Sequence, residues 1–315
     1  MSITLNETEI KLLELFSSPE YFAKMRDKWE KMILHTESCL ENYMARLPLN
    51  YRSRTLPEQP DITWGHRVLP NFRTTLEQLN KAFILLTHGN SEALGYADNV
   101  RSDFKGQLDY SPDWMSEADQ KKYGENIYRA MTMAHNISVT EHAWWDRIEA
   151  SSQIDEFTEF PELSSPCNYQ VNKSIYVRSG EKPRVAGIYL PDIVNCCPQF
   201  LGSHHKMAPL TSMWTGTEDL IDPRSGEKYD EQNIYKKVEC TWYLIERSEN
   251  NKASDSSPAH AYQFLRIAAG NMCPRAGYYF TPAAPGSRRR FVEGEVMPSL
   301  SSTYGQTIWQ WEEGQ

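Results

Sequence analysis

The chain has no C-x-x-C pair, no glycine loop of the G-x-x-x-x-G-K-[ST] or G-x-G-x-x-G kind, and no G-x-S-x-G. Each absence removes a class. Without paired cysteines neither a zinc ribbon nor a disulfide framework is indicated, and the 6 cysteines at 39, 167, 196, 197, 240 and 273 read as free thiols. Without the glycine loops there is no phosphate cradle, and without the serine elbow no hydrolase nucleophile of that type. No window reaches the ~18 apolar residues of a membrane span, and the start MSITLNETEIKLLELF lacks a basic segment followed by an apolar run. The expectation is a cytoplasmic protein that does not engage membrane.

Positive charge is also scarce where it would matter. The formal net charge is -9, and it falls entirely in residues 1–164, which carry 17 Lys+Arg against 26 Asp+Glu, whereas 165–315 carry 16 of each. An acidic half repels nucleic acid and attracts basic partners. No nucleic-acid partner is expected. The length of 315 residues, 40% hydrophobic and 12% aromatic content are those of an ordinary folded chain.

The first half has helical periodicity. From Ser18, an N-cap followed by Pro19 and Glu20, apolar residues recur at Phe22, Met25, Trp29, Met32, Ile33, Leu40, Tyr43 and Leu47. A Pro-rich loop at 55–64 precedes a second helix running from about 71 to Gly89. A weaker pattern covers 91–108, a stronger one starts at Ser116, and Ser138 with Glu141 has capping-box spacing, predicting a fresh helix over HAWWDRIEA. Four or five helices make residues 1–150 a bundle, and the acidic stretch 151–172 a linker.

From 173 to 315 the segments become short, β-branched and aromatic: KSIYVRS, VAGIYL, KKVECTWYLIER, AYQFLRIAAG, GYYFT, RRFVEG and QTIWQWE. The fold class is therefore α+β, a helical bundle followed by a β-rich module, with a polar, mobile loop expected at 248–258. Within the β-rich part a phrase occurs twice. KPRVAGIYLP near Gly187 answers CPRAGYYFTP near Gly277, and the copies extend over about 179–214 and 269–311. Aligning the glycines pairs Phe200 with Phe291 and Pro209 with Pro298, with one residue of slippage. Each glycine allows a tight strand entry or a positive φ, the Phe begins a second strand, and the Met-Pro or Ala-Pro unit ends it. Copy two closes with Gly305, Trp309 and Trp311, the tryptophans sharing one face of a core strand; copy one has only Trp214 nearby.

The run CPRAGYYFTP, then RRRFVEGEVMP, then YGQTIWQWE resembles the closing signature of bacterial polymorphic-toxin immunity proteins of the immunity protein 71 and 72 families. The likeness is sharp over Cys273–Trp311, including Pro274, Gly277, Phe291, Pro298 and Gly305, and looser over 179–214. It implies a non-enzymatic protein, without cofactor or metal, that binds a secreted toxin of type VI or Rhs type, one to one.

The residues themselves offer few catalytic constellations. Glu141, His142 and Asp146 put a His and an Asp at i and i+4, and Cys196, Cys197, His204 and His205 lie within ten residues. Both read more simply as a surface pair beside buried Trp144 or Trp145, and as adjacent pairs that cannot share a tetrahedral site. Arg288, Arg289 and Arg290 are expected to flank a turn or hold Glu293 or Glu295. The candidate working surface is the acidic, aromatic stretch holding Asp98, Asp103, Phe104, Asp109, Tyr110, Asp113, Trp114 and Asp119, with Glu156 and Glu159 of the linker beside Phe157 and Phe160. Aromatics supply anchors and carboxylates steer a basic cleft. The competing readings are a hydrolase that reverses toxin damage, through the His142 or His204 regions, and a general protein-binding module.

Overall fold

A computed structural model describes residues 5–146, 167–202, 207–248, 266–281, 284, 287–300 and 307–311. The protein is α+β, with helices over residues 7–142 and antiparallel sheets over 169–311. It separates into two compact units, Met1–Asn251 and Lys252–Gln315. This differs from the helix-then-sheet division at 150, because the first β copy shares the core of the helices.

In the larger unit α1 (Glu7–Phe16), α2 (Pro19–Met44), α3 (Leu69–Thr87), α4 (Ala97–Gln107) and α5 (Glu117–His142) form the helical part. Ser18 caps α2 by accepting from the Tyr21 N–H at 3.1 Å, with Pro19 in the first turn where its missing N–H costs nothing. The segment expected as a Pro-rich loop is in fact largely helical: a 3-10 turn at Leu56–Glu58 and a π-helical stretch at Asp61–Val68 lead into α3. The expected restart at Ser138 does not occur. Ser138 is buried inside α5, its hydroxyl accepting from Arg101 at 2.7 Å, and the helix ends at Ala143 in the left-handed conformation, φ 56°. The apolar stripes meet around Trp29, Trp64, Phe72, Ile127 and Ala134, and this core continues into Ile188, Leu190, Phe200 and Ile245 of the first sheet.

That sheet has the order β1-β6-β2-β3, from β1 (Tyr169–Arg178), β2 (Gly187–Pro191), β3 (Gln199–Leu201) and β6 (Thr241–Arg247). β1 starts inside the stretch assigned to a linker. Alternation sends Ile188 and Leu190 to the helices, while Val177, Tyr189, Leu201, Trp242 and Leu244 make a second small core on the other face. Glu14 of α1 ties the sheet down, accepting from Tyr169 at 2.8 Å and from Arg247 at 2.7 Å. Between β3 and β6 is inserted a ribbon of β4 (Thr211–Ile221) and β5 (Lys228–Val238), so KKVECTWYLIER is two strands broken at Glu239–Cys240, not one.

The smaller unit has the same plan. β7 (Arg266–Ala268), β8 (Gly277–Phe280), β9 (Arg289–Phe291) and β10 (Ile308–Trp311) take the order β7-β10-β8-β9. The correspondence extends to single bonds. Gly187 pairs with Leu201 as Gly277 pairs with Phe291, and Val177 pairs with Trp242 as Ile267 pairs with Trp309. The Trp242 indole donates to the Pro209 carbonyl at 3.0 Å, and that of Trp309 to the Pro298 carbonyl at 2.8 Å. Tyr189 donates to Val185 O and Tyr279 to Arg275 O, both at 2.8 Å. Gly180 and Gly270, with φ of 84° and 90°, donate to Ala208 O and Met297 O, both at 2.8 Å.

Four sequence readings change accordingly. The counterpart of Phe291 is Leu201, one residue beyond Phe200, which moves the one-residue slippage to the segment between that strand and the proline; the counterpart of Trp309 is Trp242, not Trp214. Leu201 and Phe291 end their strands instead of starting them, so Pro209 and Pro298 serve as carbonyl acceptors, not strand terminators. In the first copy the strand-entry glycine is required for closeness, as expected: a Cβ on Gly187 would lie 2.7 Å from Leu244 Cδ1. Gly277 itself has φ 158°, and the turn glycines Gly180 and Gly270 lie in the left-handed region.

Candidate protein-binding surfaces

The acidic, aromatic stretch forms α4, the turn after it and the start of α5, and its side chains are largely engaged within the protein. Phe104, Tyr110 and Trp114 pack against the helical core, Phe104 edge-on to Tyr128 at 5.2 Å and Trp114 edge-on to Trp64 at 5.6 Å and Tyr43 at 5.9 Å. They are not the free anchors the sequence suggested, because these rings pack inward beside the buried Ala97 and Val100 of α4. Asp98 pairs with Arg101 at 3.0 Å. Asp103 accepts from Thr75 at 2.6 Å and from Asn71, and burial raises its carboxyl above the ordinary value despite those two bonds. Ser116 caps α5, its hydroxyl accepting from the Asp119 N–H at 3.2 Å and donating to the Asp119 carboxylate at 2.6 Å. Asp109 and Asp113 alone of the acids named here stand exposed without such a role. Glu156, Glu159, His204, His205 and Gly305 lie outside the described residues, as does nearly all of the loop expected at 248–258.

The His142 region is also different from the expected pair. Because α5 stops at His142, Asp146 is not on its helix face. His142 Nδ1 lies 2.8 Å from Ser138 O and 3.1 Å from Glu141, and Trp144, 60% exposed, stacks on the imidazole at 4.2 Å, whereas Trp145 is buried with its indole donating to Thr140 at 2.8 Å. Burial raises the thiol of Cys197, which donates to Trp145 O at 2.8 Å, well above its usual range. Such a thiol is held as a structural group, not as an activated nucleophile. Arg289 does hold Glu295, at 2.7 Å, and its guanidinium covers Phe291 at 4.1 Å; Arg288 lies 4.0 Å over Tyr278. An open groove of about 420 Å³ on the bundle is lined by Glu37, Leu40, Glu41, Met44, Gly65, Leu69, Pro70 and Arg73, with Arg73 Nε donating to Glu37 at 2.6 Å.

The combination sought on α4, carboxylates with free apolar anchors, occurs on the β4–β5 ribbon. Its strands pair from Thr211↔Val238 to Ile221↔Lys228, and among the described residues no other element packs extensively on either. Outside its base both faces are mostly exposed. Toward the tip stand Glu218, Asp219, Asp222, Glu227, Asp230 and Glu231 against Arg224 and Lys228, and Lys228 is already claimed by Asp219 at 2.8 Å and by Glu231. Tyr229 is 67% exposed, Ile221 is exposed close to it on the facing strand, and Ile234 is exposed nearer the base. The sequence reading passed over this arm. Its trace was the interval between the two equivalent Pro-Trp bonds, 33 residues in copy one against 11 in copy two.

An isolated two-stranded ribbon is marginal in water, and this one carries exposed apolar side chains with an excess of carboxylate. The fold and its surfaces thus describe an α+β protein with a duplicated four-stranded β module, the first copy docked on helices and extended by an acidic arm. Compared with models of known families, with curated proteins and with solved structures, the chain matches none. Among the described residues no helix is long and apolar enough to cross a membrane.

Proposed function

We propose that this is a binding protein that neutralises a cognate toxin by occluding its basic catalytic cleft, and that the β4–β5 arm makes the principal contact. The observation that carries the reading is the arm itself. It projects carboxylates and a tyrosine on a scaffold that does not need them for its own core, which is the chemistry suited to a cationic cleft: Tyr229 and Ile221 bury as anchors while the acids steer and select. Asp109 and Asp113 add to the acidic field from the helical part. The likeness of Cys273–Trp311 to toxin immunity proteins supports a toxin as that partner, acting inside the producing cell.

Mixing the purified protein with the toxin encoded beside it tests this. A one-to-one complex should form, weaken steeply with salt, and fail to form when Thr215–Ile234 is replaced by a two-residue Asn-Gly turn. An intact protein that does not bind that toxin sinks the reading. His142→Ala and Asp146→Ala variants should keep full protection, since occlusion requires neither; loss of protection with binding retained would mean catalysis.

A further inference from the structure

One cluster of ligating side chains has no part in the docking surfaces. His35 and Cys39 are one helical turn apart, so α2 presents both on a single face. The start of α5 brings Asp119 to the same place. Cys39 Sγ lies 3.6 Å from His35 Nε2, which lies 3.6 Å from Asp119 Oδ1, and the three ligand atoms fall within 4.8 Å of one another.

We infer that His35, Cys39 and Asp119 form a binding site for a borderline divalent cation, zinc being the fitting one. Bonds of about 2.0 Å to nitrogen and oxygen and about 2.3 Å to sulfur, spread tetrahedrally, separate ligand atoms by roughly 3.3–3.6 Å. The observed spacing needs only small side-chain rotations to reach that. One thiolate, one imidazole and one carboxylate make a donor set suited to zinc over magnesium or calcium, which prefer all-oxygen shells. As the sulfur–metal bond forms, the Cys39 proton leaves to solvent, and His35 binds through Nε2 as the neutral tautomer. Asp119 is 44% exposed and His35 9%, so the cation enters from the carboxylate side and water completes the fourth position. Without a cation His35 Nε2 faces the Asp119 carbonyl oxygen at 3.1 Å, so the ring turns from that oxygen to meet the metal. The ion would cross-link the middle of α2 to the first turn of α5, two elements far apart in sequence.

The test is cobalt titration of the chelator-treated full chain, read by absorbance. The site predicts one equivalent of cobalt bound with a thiolate-to-cobalt charge-transfer band, displaced by zinc. Cys39→Ser should remove the band, and Asp119→Asn should weaken cobalt affinity by about tenfold or more. Circular dichroism of each variant checks that both remain folded. An intact chain without the band overturns the inference, as does a band that survives in folded Cys39→Ser, since another of the chain's thiols would then be the ligand.

Discussion

The two β modules share strand order, a buried Trp bonded to a Pro carbonyl, a Tyr bonded four residues back and a positive-φ turn glycine, yet they differ in what lies on their second face. In the first, Ile188, Leu190 and Phe200 enter the core of the helices. In the second the same positions hold Tyr278, Phe280 and Arg290, the first two half-buried and the third exposed. The conserved part is thus the inner cluster, and the outer face is free to diverge. A sheet face changes character by single substitutions at alternate positions without disturbing the strand ladder.

The largest expected effect follows from that difference in support. Trp309 is 1% exposed among Tyr279, Phe291 and Met297, the small cluster on which the unit Lys252–Gln315 relies. Trp309→Ala should cost ~3–5 kcal/mol, comparable with the whole stability of so small a unit. Hydrogen exchange should then show protection lost across that unit and kept in the helices. Trp242→Ala removes an equivalent indole, but the first sheet also rests on the helical core, so a folded protein with a lowered melting temperature is expected. Equal loss of folding in the two variants would mean that the helices lend the first module no support.

A smaller change probes the bond alone. Trp242→Phe and Trp309→Phe retain most of the ring but leave the Pro209 or Pro298 carbonyl without its indole donor, at a cost of about 1–3 kcal/mol each. Matching losses, measured by denaturant unfolding, are expected; a loss in only one would break the equivalence. Gly180→Ala and Gly270→Ala should each cost about 1 kcal/mol, because the φ of 84° and 90° is unfavourable for any residue with a Cβ and nothing crowds either position.

How far the sequence revealed this depends on which physical signal each element left. Four of the five helices, α2 to α5, were legible because long amphipathic stripes and caps such as Ser18 and Ser116 are local; α1 was not read, and the separate helix expected after Ser138 is the end of α5. The repeat was legible in the Gly-aromatic strand. Its register was not, since the first sheet is apolar on both faces and Phe200 and Leu201 are equally plausible core residues by pattern. Trp242 escaped because the inserted ribbon carries it beyond the reach of a simple alignment. The binding stretch on α4 was misread for a related reason: composition places acids and aromatics together, but only tertiary packing turns Trp114 inward and occupies Asp103 with Thr75. His35, Cys39 and Asp119 left only a His-x-x-x-Cys spacing, uninformative until α5 is laid against α2.

The arm gives the smallest stability effect and the clearest separation of the two modules. Trp214 and Tyr235 are paired at its base, and the Trp214 N–H bonds the Asn195 carbonyl at 3.1 Å, so the ribbon is anchored below that pair. Replacing Thr215–Ile234 by Asn-Gly lets the strands close in a type I′ turn and removes side chains that bury little within the protein. The expected change in unfolding free energy is within about 0.5 kcal/mol, as for surface substitutions that touch no core, while binding to a basic partner is abolished. A shortened chain that lost several kcal/mol would show that the arm is part of the first module's own framework. An unchanged melting curve would show that the module folds as its sister does, without an arm, and that the insertion serves something outside the molecule.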